Sequence, residues 1–361
     1  MLTDFAAIGR SIELNPLGRL MYGNRELFHS NLIAWFFDAM PNQADRVFKA
    51  FTSAGAGTPR YVERERENLD LVMHWPDMRP LVIENKVFST PTRAQLDDYS
   101  AKTARWPVTP AKLLLTPARP SFELDPWAFF GYGELSAAIV ASLDDSDHSY
   151  EAETMRRYAA LASDLGHLMA AVDIRSTNET IWLPEAVLAS ISSSQMRSAL
   201  QKARASRIAA MINQTIPDLE QPASGGMTRA TPLVESFEYV FTSDMHVHVG
   251  WQLQGTQFRR AVIFHDESLK GGERALRLER ERISALHPEF FDFPPGLPQT
   301  RSGRRDYNHF APSFVYQYVK APDITVAELL DAAVAVHAAT ERLHARSSEA
   351  PRPPSAQRVA P

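Results

Sequence analysis

Asn68-Leu69-Asp70-Leu71-Val72 and, a few residues on, Leu81-Val82-Ile83-Glu84-Asn85-Lys86-Val87 are the stretches on which the reading of this chain turns. They sit in two short apolar runs, Leu69–Trp75 and Leu81–Phe88, with Pro76 and Pro80 between them, the pattern of two strands joined by a tight connection. An apolar strand buries a carboxylate or an ammonium group at low cost only when the charge is paired or holds a metal. On a strand, residues two apart share a face, so Glu84 and Lys86 point one way while Ile83, Asn85 and Val87 point the other. With Asp70 on the adjacent strand, its carboxylate meets Glu84 across the pair. Two hard carboxylate oxygens suit Mg²⁺ or Mn²⁺ rather than zinc. Taken alone, a Glu-x-Lys on a strand is more often a plain ion pair.

The flanking segments carry more. Upstream, Leu27, Phe28, Leu32, Trp35 and Phe36 recur at helical spacing over about 24–40 and Pro41 ends the run; Glu26 and His29, three apart, share a face of that helix. Downstream, Thr90-Pro91-Thr92 opens a helix to about Arg105, on which Gln95 and Tyr99 lie four apart. A strand at Lys112–Thr116 follows, and Glu63–Glu67 reads as a solvated strand before Asp70. Helix, strand, strand, helix, strand predicts an α/β layer arrangement.

Asp-x13-Glu-x-Lys followed by Gln-x3-Tyr, with a helical Glu-x-x-His-Ser upstream, resembles the PD-(D/E)XK nuclease superfamily, most nearly its bacterial branch with an Ile-Glu-Asn-Lys core strand and a RecB-like Gln/Tyr helix. The resemblance covers about residues 20–135. It implies a restriction-endonuclease-like core, a mixed central sheet flanked by helices, and metal-dependent hydrolysis of phosphodiester bonds, with DNA as substrate. Asp70 and Glu84 would be metal ligands with the Asn85 carbonyl as a third, Lys86 the catalytic lysine, and Glu26 a further acidic group from the first helix. Gln95 would orient the lysine or a phosphate, and Tyr99 would pack or contact DNA. His29 divides between a core role and a metal-binding one. Leu69 stands where the family name has proline, while the charged positions keep their chemistry. Restriction, repair or defence against phage is the implied setting, with a second copy of the chain or a defence-system protein as partner. A non-cleaving nucleic-acid-binding or regulatory module on the same fold is the alternative.

The chain has 361 residues, 44% hydrophobic and 22% charged, which is ordinary usage for a folded protein and excludes a collagen-like, coiled-coil or largely disordered chain. It has no cysteine, which excludes disulfides, thiolate metal sites and a cysteine nucleophile. The longest apolar run, Leu32–Phe37, is far short of the roughly 20 residues a membrane span needs. Met1-Leu2-Thr3-Asp4 lacks the basic start of a leader, so a cytoplasmic protein without a membrane partner is expected. The P-loop, the dinucleotide fingerprint and the nucleophile elbow are all missing from the sequence.

The net charge of −5 divides into −7 over residues 1–195 and +3 over 196–320. A nuclease domain is expected over 1–175, a helical connector and linker over 176–225, an α+β accessory domain over 226–345 and a disordered tail over 346–361. Residues 186–217 hold no acidic side chain, and Arg197, Lys202, Arg204 and Arg207 could follow a phosphate backbone from a helix at Ser194–Ile212. Strands are expected at Phe237–Thr242, His246–Gln254 and Arg259–Phe264, and helices at Glu151–Ala171 and 325–343. His246 and His248 share a strand face at a spacing that suits zinc, but no third ligand is near in sequence. Arg301–His309 mixes arginine with an aromatic, as binders of unpaired strands do, although a polar surface loop is the commoner meaning. Trp127, Phe129, Phe130 and Tyr132 read as core.

Overall fold

The computed structural model describes residues 2–21, 25–52, 60–75, 78–87, 91–117, 119–120, 122–229, 231–242, 245–264, 272–303, 306–310 and 313–349. These form two units, the first from Met1–Asp173 and Leu183–Ala203, the second from Ile174–Trp182 and Arg204–Pro361. Neither the connector expected over 176–225 nor a break near 226 is how the chain divides: the residues of that span belong partly to each unit. No helix among the described residues is long and apolar enough to cross a membrane.

The first unit opens with α1 (Leu2–Leu14), α2 (Pro16–Met21), α3 (Arg25–Ala39) and α4 (Pro41–Phe48). Its five-stranded sheet follows: β1 (Tyr61–Arg66), β2 (Leu69–His74), β3 (Leu81–Asn85), then α5 (Arg93–Thr103), β4 (Ala111–Thr116) and β5 (Ala128–Gly131). The strands lie in sequence order, β1–β2–β3 antiparallel and β3–β4–β5 parallel, with α5 as the crossover between β3 and β4. Helices α6 (Tyr132–Ser142), α7 (Tyr150–Ala171) and α8 (Glu185–Ala189) complete it with the first part of α9 (Ser194–Thr215). This mixed sheet flanked by helices is a restriction-endonuclease-like arrangement.

Alternation along β2 and β3 sorts the two faces of the sheet. Leu71, Met73, Leu81 and Ile83 enter the large core against the helices of one face, Ile33, Phe37 and Leu135 among them. Val72 and Val82 face the other way, into a smaller cluster with Leu96 and Tyr99 of α5 and Trp127. Helix α5 starts because the Thr92 side chain accepts the Gln95 N–H at its N-terminus, a cap worth about 1 kcal/mol. It is held down by few side chains, so Leu96, almost fully buried, carries much of its anchorage. The β1–β2 hairpin turns through Glu67 and Asn68, both at positive φ (54° and 68°), in a two-residue loop closed by the Arg66–Leu69 pair.

In the second unit, six antiparallel strands run in the order β10–β11–β9–β8–β7–β6: β6 (Ser224–Thr228), β7 (Thr231–Thr242), β8 (Met245–Gln254), β9 (Gln257–Phe264), β10 (Asn308–Phe310) and β11 (Phe314–Lys320). Two further helices, α10 (Gly272–Leu286) and α11 (Val326–Glu349), follow β9 and β11. Val234, Trp251, Leu253 and Phe258 pack beneath α9 and α11, and Val249, Val262 and Val315 pack with Ile283 of α10. Ser224 and Gly225, at the end of the span expected as connector and linker, belong to β6. A Cβ on Gly225 would fall 2.2 Å from the Ala205 carbonyl oxygen, so this glycine permits close packing on α9 rather than flexibility. The last helix continues to Glu349, past the point where a tail was expected to begin; residues 350–361 lie outside the described residues.

Gly250 is the tightest point of the second sheet: a Cβ there would stand 2.0 Å from the Ser236 carbonyl oxygen and 2.8 Å from the Phe237 Cα. Gly250→Ala is therefore expected to force β7 and β8 apart and to lower stability by at least about 1–3 kcal/mol. Urea unfolding should show a lower midpoint with an unchanged slope.

Candidate active site

The register of β2 on β3 pairs Leu71 with Ile83 and Val72 with Val82, which sets Asp70 opposite Glu84 on the face that α5 covers. Asp70 is partly exposed, and its Oδ2 accepts the backbone N–H of Asn85 at 2.7 Å. That bond fixes the carboxylate beside the end of β3. Glu84 is 1% exposed. Its Oε1 accepts from the Lys86 ammonium at 2.7 Å and from the Gln95 Nε2 at 3.2 Å. Gln95 Nε2 also donates to the Tyr99 hydroxyl at 2.9 Å. Lys86, just past the end of β3, and Gln95 of α5 thus converge on one buried carboxylate. A buried anion with a cation and an amide on one oxygen is compensated in the way that low-dielectric surroundings demand.

The opposite face of β3 carries a second polar network that sequence reading did not find. The Asn85 side chain donates from Nδ2 to the Ser30 hydroxyl at 3.3 Å and accepts at Oδ1 from the Tyr132 hydroxyl at 2.7 Å. Tyr132 in turn hydrogen-bonds Tyr158, whose hydroxyl lies 3.3 Å from His29 Nδ1. All five side chains are buried, so three helices are tied to the strand end that presents Asp70 and Glu84. Tyr132, read from sequence as plain core, has this second task at its hydroxyl. An asparagine turned away from Glu84 on the site strand was the available signal, but nothing in the sequence names its partners.

His29 belongs to that network and not to the carboxylate cluster. Fully buried among Phe28, Tyr132 and Tyr158, it has its pKa driven down to about 3 by loss of hydration. Burial likewise raises the Tyr158 hydroxyl above its usual value. Glu26 lies on α3 three residues earlier, but its side chain falls outside the described residues.

The basic run of α9 is placed differently from its reading as a phosphate-binding face. Arg204 is 3% exposed; its guanidinium donates to the Ile181 and Thr180 carbonyl oxygens and pairs with Glu179 at 3.1 Å. That corrects its reading as part of an open phosphate-binding face: the guanidinium is buried and engaged by groups of its own unit. Arg197 is half-buried and turns back on the Ile191 and Ser192 carbonyl oxygens, Arg207 is half-buried, and Lys202 is exposed. Tyr99 is 8% exposed, so of the two roles expected it fills the packing one. His246 and His248 lie on β8 with no third ligand grouped with them among the described residues. The group of three metal-ligand side chains that those residues do contain is Glu238, His337 and Glu341, with ligand atoms within 4.8 Å of one another. His337 Nδ1 is 2.8 Å from Glu238 Oε2, and buried Arg260 lies close enough to feel the same carboxylate. The helical spacing of His337 and Glu341 was legible; the strand carboxylate that joins them was not.

Residues 17–107, which span α2 to just past α5, match the family model of the PD-(D/E)XK nuclease superfamily. The likeness to that superfamily is confined to this segment. No curated protein and no solved structure matches the chain. PD-(D/E)XK proteins are usually nucleases and generally use divalent metals. The matched segment contains Asp70, Glu84, Asn85, Lys86, Gln95 and Tyr99, the residues that the fold gathers, and ends before the second unit's sheet.

Two measurements probe the network beneath the site. Because His29 has a lower pKa in the folded chain than in the unfolded one, the unfolded state takes up its proton first as pH falls. Its contribution is complete above about pH 6.5 and is lost progressively down to about pH 3, at up to about 1.4 kcal/mol per pH unit. Urea midpoints for the native chain and His29→Phe should therefore converge as pH falls through this window; a constant difference would contradict a neutral buried imidazole. Tyr132→Phe removes a donor from the buried Asn85 amide and should cost about 1–3 kcal/mol by the same measurement.

Proposed function

We propose that the first unit is a metal-dependent nuclease that hydrolyses phosphodiester bonds, with DNA as the substrate the resemblance favours. The observation that carries this reading is the cross-strand placement of Asp70 and Glu84 on one face, with the Lys86 ammonium 2.7 Å from the Glu84 carboxylate. The donor set fits a hard cation: two carboxylates on paired strands with the Asn85 backbone carbonyl at the strand end, in a chain without a cysteine. Asp70, Glu84 and the Asn85 carbonyl would hold magnesium or manganese, which when bound supplies Lewis acidity and positive charge at the phosphodiester.

The remaining roles fall to the chain's own groups. The Asn85 N–H holds the Asp70 carboxylate in one orientation, so it need not reorganise when a substrate arrives. Gln95 fixes Glu84 and anchors its own amide on Tyr99, which keeps α5 and β3 in step. Lys86, 12% exposed and paired with Glu84, would meet the extra negative charge that a phosphate gains as it is attacked. The acidic cluster alone would repel a polyanion, so binding and chemistry should share one dependence on divalent ion. Glu26 is proposed as a further acidic group of the site, and the second unit as the part that presents or selects substrate. A restriction, repair or anti-phage role, with a second copy or a defence-system protein as partner, is the setting proposed.

Purified protein is expected to cut plasmid or unpaired DNA with Mg²⁺ or Mn²⁺ and to stop on EDTA. Lys86→Ala and Asp70→Asn should each reduce the rate by about a hundredfold or more. Glu84→Gln, which keeps the side chain's shape, separates lost chemistry from lost folding. Cleavage that survives Lys86→Ala and Asp70→Asn would remove the site; tight binding without cutting under any metal would establish the non-cleaving alternative.

A further inference from the structure

The six-stranded sheet of the second unit has two unlike faces. One is buried in the apolar core under α9, α10 and α11, with Trp251 and Phe258 among its side chains. The register sets a different population on the other: Phe237, Gly250, Ala261 and Tyr316 form one cross-strand row, and Gln252, Arg259 and Tyr318 belong to the next. Phe237, Phe314, Tyr316, Tyr318 and Arg259 are half-exposed there and belong to neither hydrophobic cluster.

These side chains are mutually arranged. Phe314, Tyr316 and Tyr318 are alternate residues of β11, about 6.6–6.8 Å apart along the strand. Their ring centroids follow at 5.8 and 6.3 Å. Phe237 reaches across two intervening strands to within 5.9 Å of Phe314, over the small residues Gly250 and Ala261. The Arg259 guanidinium lies 4.7 Å over the Tyr316 ring and is oriented by Gln252 and Gln257. Lys320 extends the same face and is exposed; the carboxylate there, Glu235, is held by the Gln252 amide.

We propose that this aromatic sheet face of the second unit binds single-stranded nucleic acid, stacking unpaired bases on Phe314, Tyr316 and Tyr318 with Arg259 and Lys320 meeting the phosphates. The chemistry selects the occupant. Rings with a guanidinium and a lysine complement an anionic polymer of planar bases. A duplex keeps its base faces stacked inward and offers none to a flat platform, whereas an unpaired strand presents them all. The proposal rests on the nuclease reading only in naming what that site would receive.

The test uses the full chain carrying Lys86→Ala, in EDTA, so that cleavage plays no part. Fluorescence anisotropy is read with a labelled thymidine strand of about 20 nucleotides, longer than the roughly 4–16 that one single-strand-binding fold covers, with the uridine strand and a duplex of equal length alongside. The unpaired strands should bind more tightly than the duplex, and the DNA and RNA arms show which sugar is preferred. Phe314→Leu and Tyr316→Leu, which keep apolar bulk and strand preference, should each weaken binding by about fivefold to a hundredfold, whereas Tyr316→Phe should retain it. Arg259→Gln should weaken binding and flatten its salt dependence. Equal binding of duplex and single strand, or leucine variants that bind as the parent does, would overturn the proposal. So would self-association of the chain that is lost in Tyr316→Leu while oligonucleotide affinity stays unchanged. Binding that behaves as proposed in a protein whose Lys86 form never cuts would sink the nuclease reading alone.

Discussion

The antiparallel pairing of β2 with β3 is the constraint from which the rest of the first unit follows. Side-chain direction alternates along a strand, so a slip of one residue would turn Asp70 to the face opposite Glu84 and destroy the carboxylate pair. Two devices hold the register. The hairpin through Glu67 and Asn68 sets where β2 begins, using a residue type that tolerates the left-handed conformation. The bond from the Asn85 N–H to Asp70 then ties that same end of β2, where the site is, to the end of β3. Core formation does the remainder, because the same register sends Leu71, Met73, Leu81 and Ile83 into the apolar interior.

The site strand is unusual in being buried along its whole length while ending in polar residues on both faces. Glu84 is answered on one side by Lys86 and Gln95; Asn85 is answered on the other by Ser30 and Tyr132. Removing any one partner leaves a polar group in a medium that solvates it poorly. Such networks favour a single arrangement of strand and helices over near alternatives, which is what two carboxylates need if they are to stay in place without a substrate to organise them.

Much of this half of the molecule was legible in the amino-acid order. The proline-bounded runs, the helical spacing of Gln95 and Tyr99, and the alternation at Glu84, Asn85 and Lys86 each report a local rule, and the fold obeys them. What escaped depended on long-range encounters. Tyr158 meets His29 across more than a hundred residues, and the sequence marks neither as the other's neighbour. Gly225 looked like flexible chain because composition cannot distinguish a hinge from a place where two backbones touch; the nearness of Ala205 decides it. Arg204 misled for a related reason, since a run without acidic residues on α9 suggested an open cationic surface, while its counter-groups lie earlier in sequence at 179–181.

The path of the chain between the units has its own consequence. Residues 174–182 belong with the later unit, 183–203 return to the earlier one, and the last crossing falls at 203–204, inside the continuous helix α9. The two parts are therefore interleaved and not threaded like beads. On the ribosome, the amino-terminal part cannot finish assembling until residue 203 has emerged, by which time part of its companion has already been made. Recombination that swapped one part alone would have to cut at three points together, one of them inside a helix.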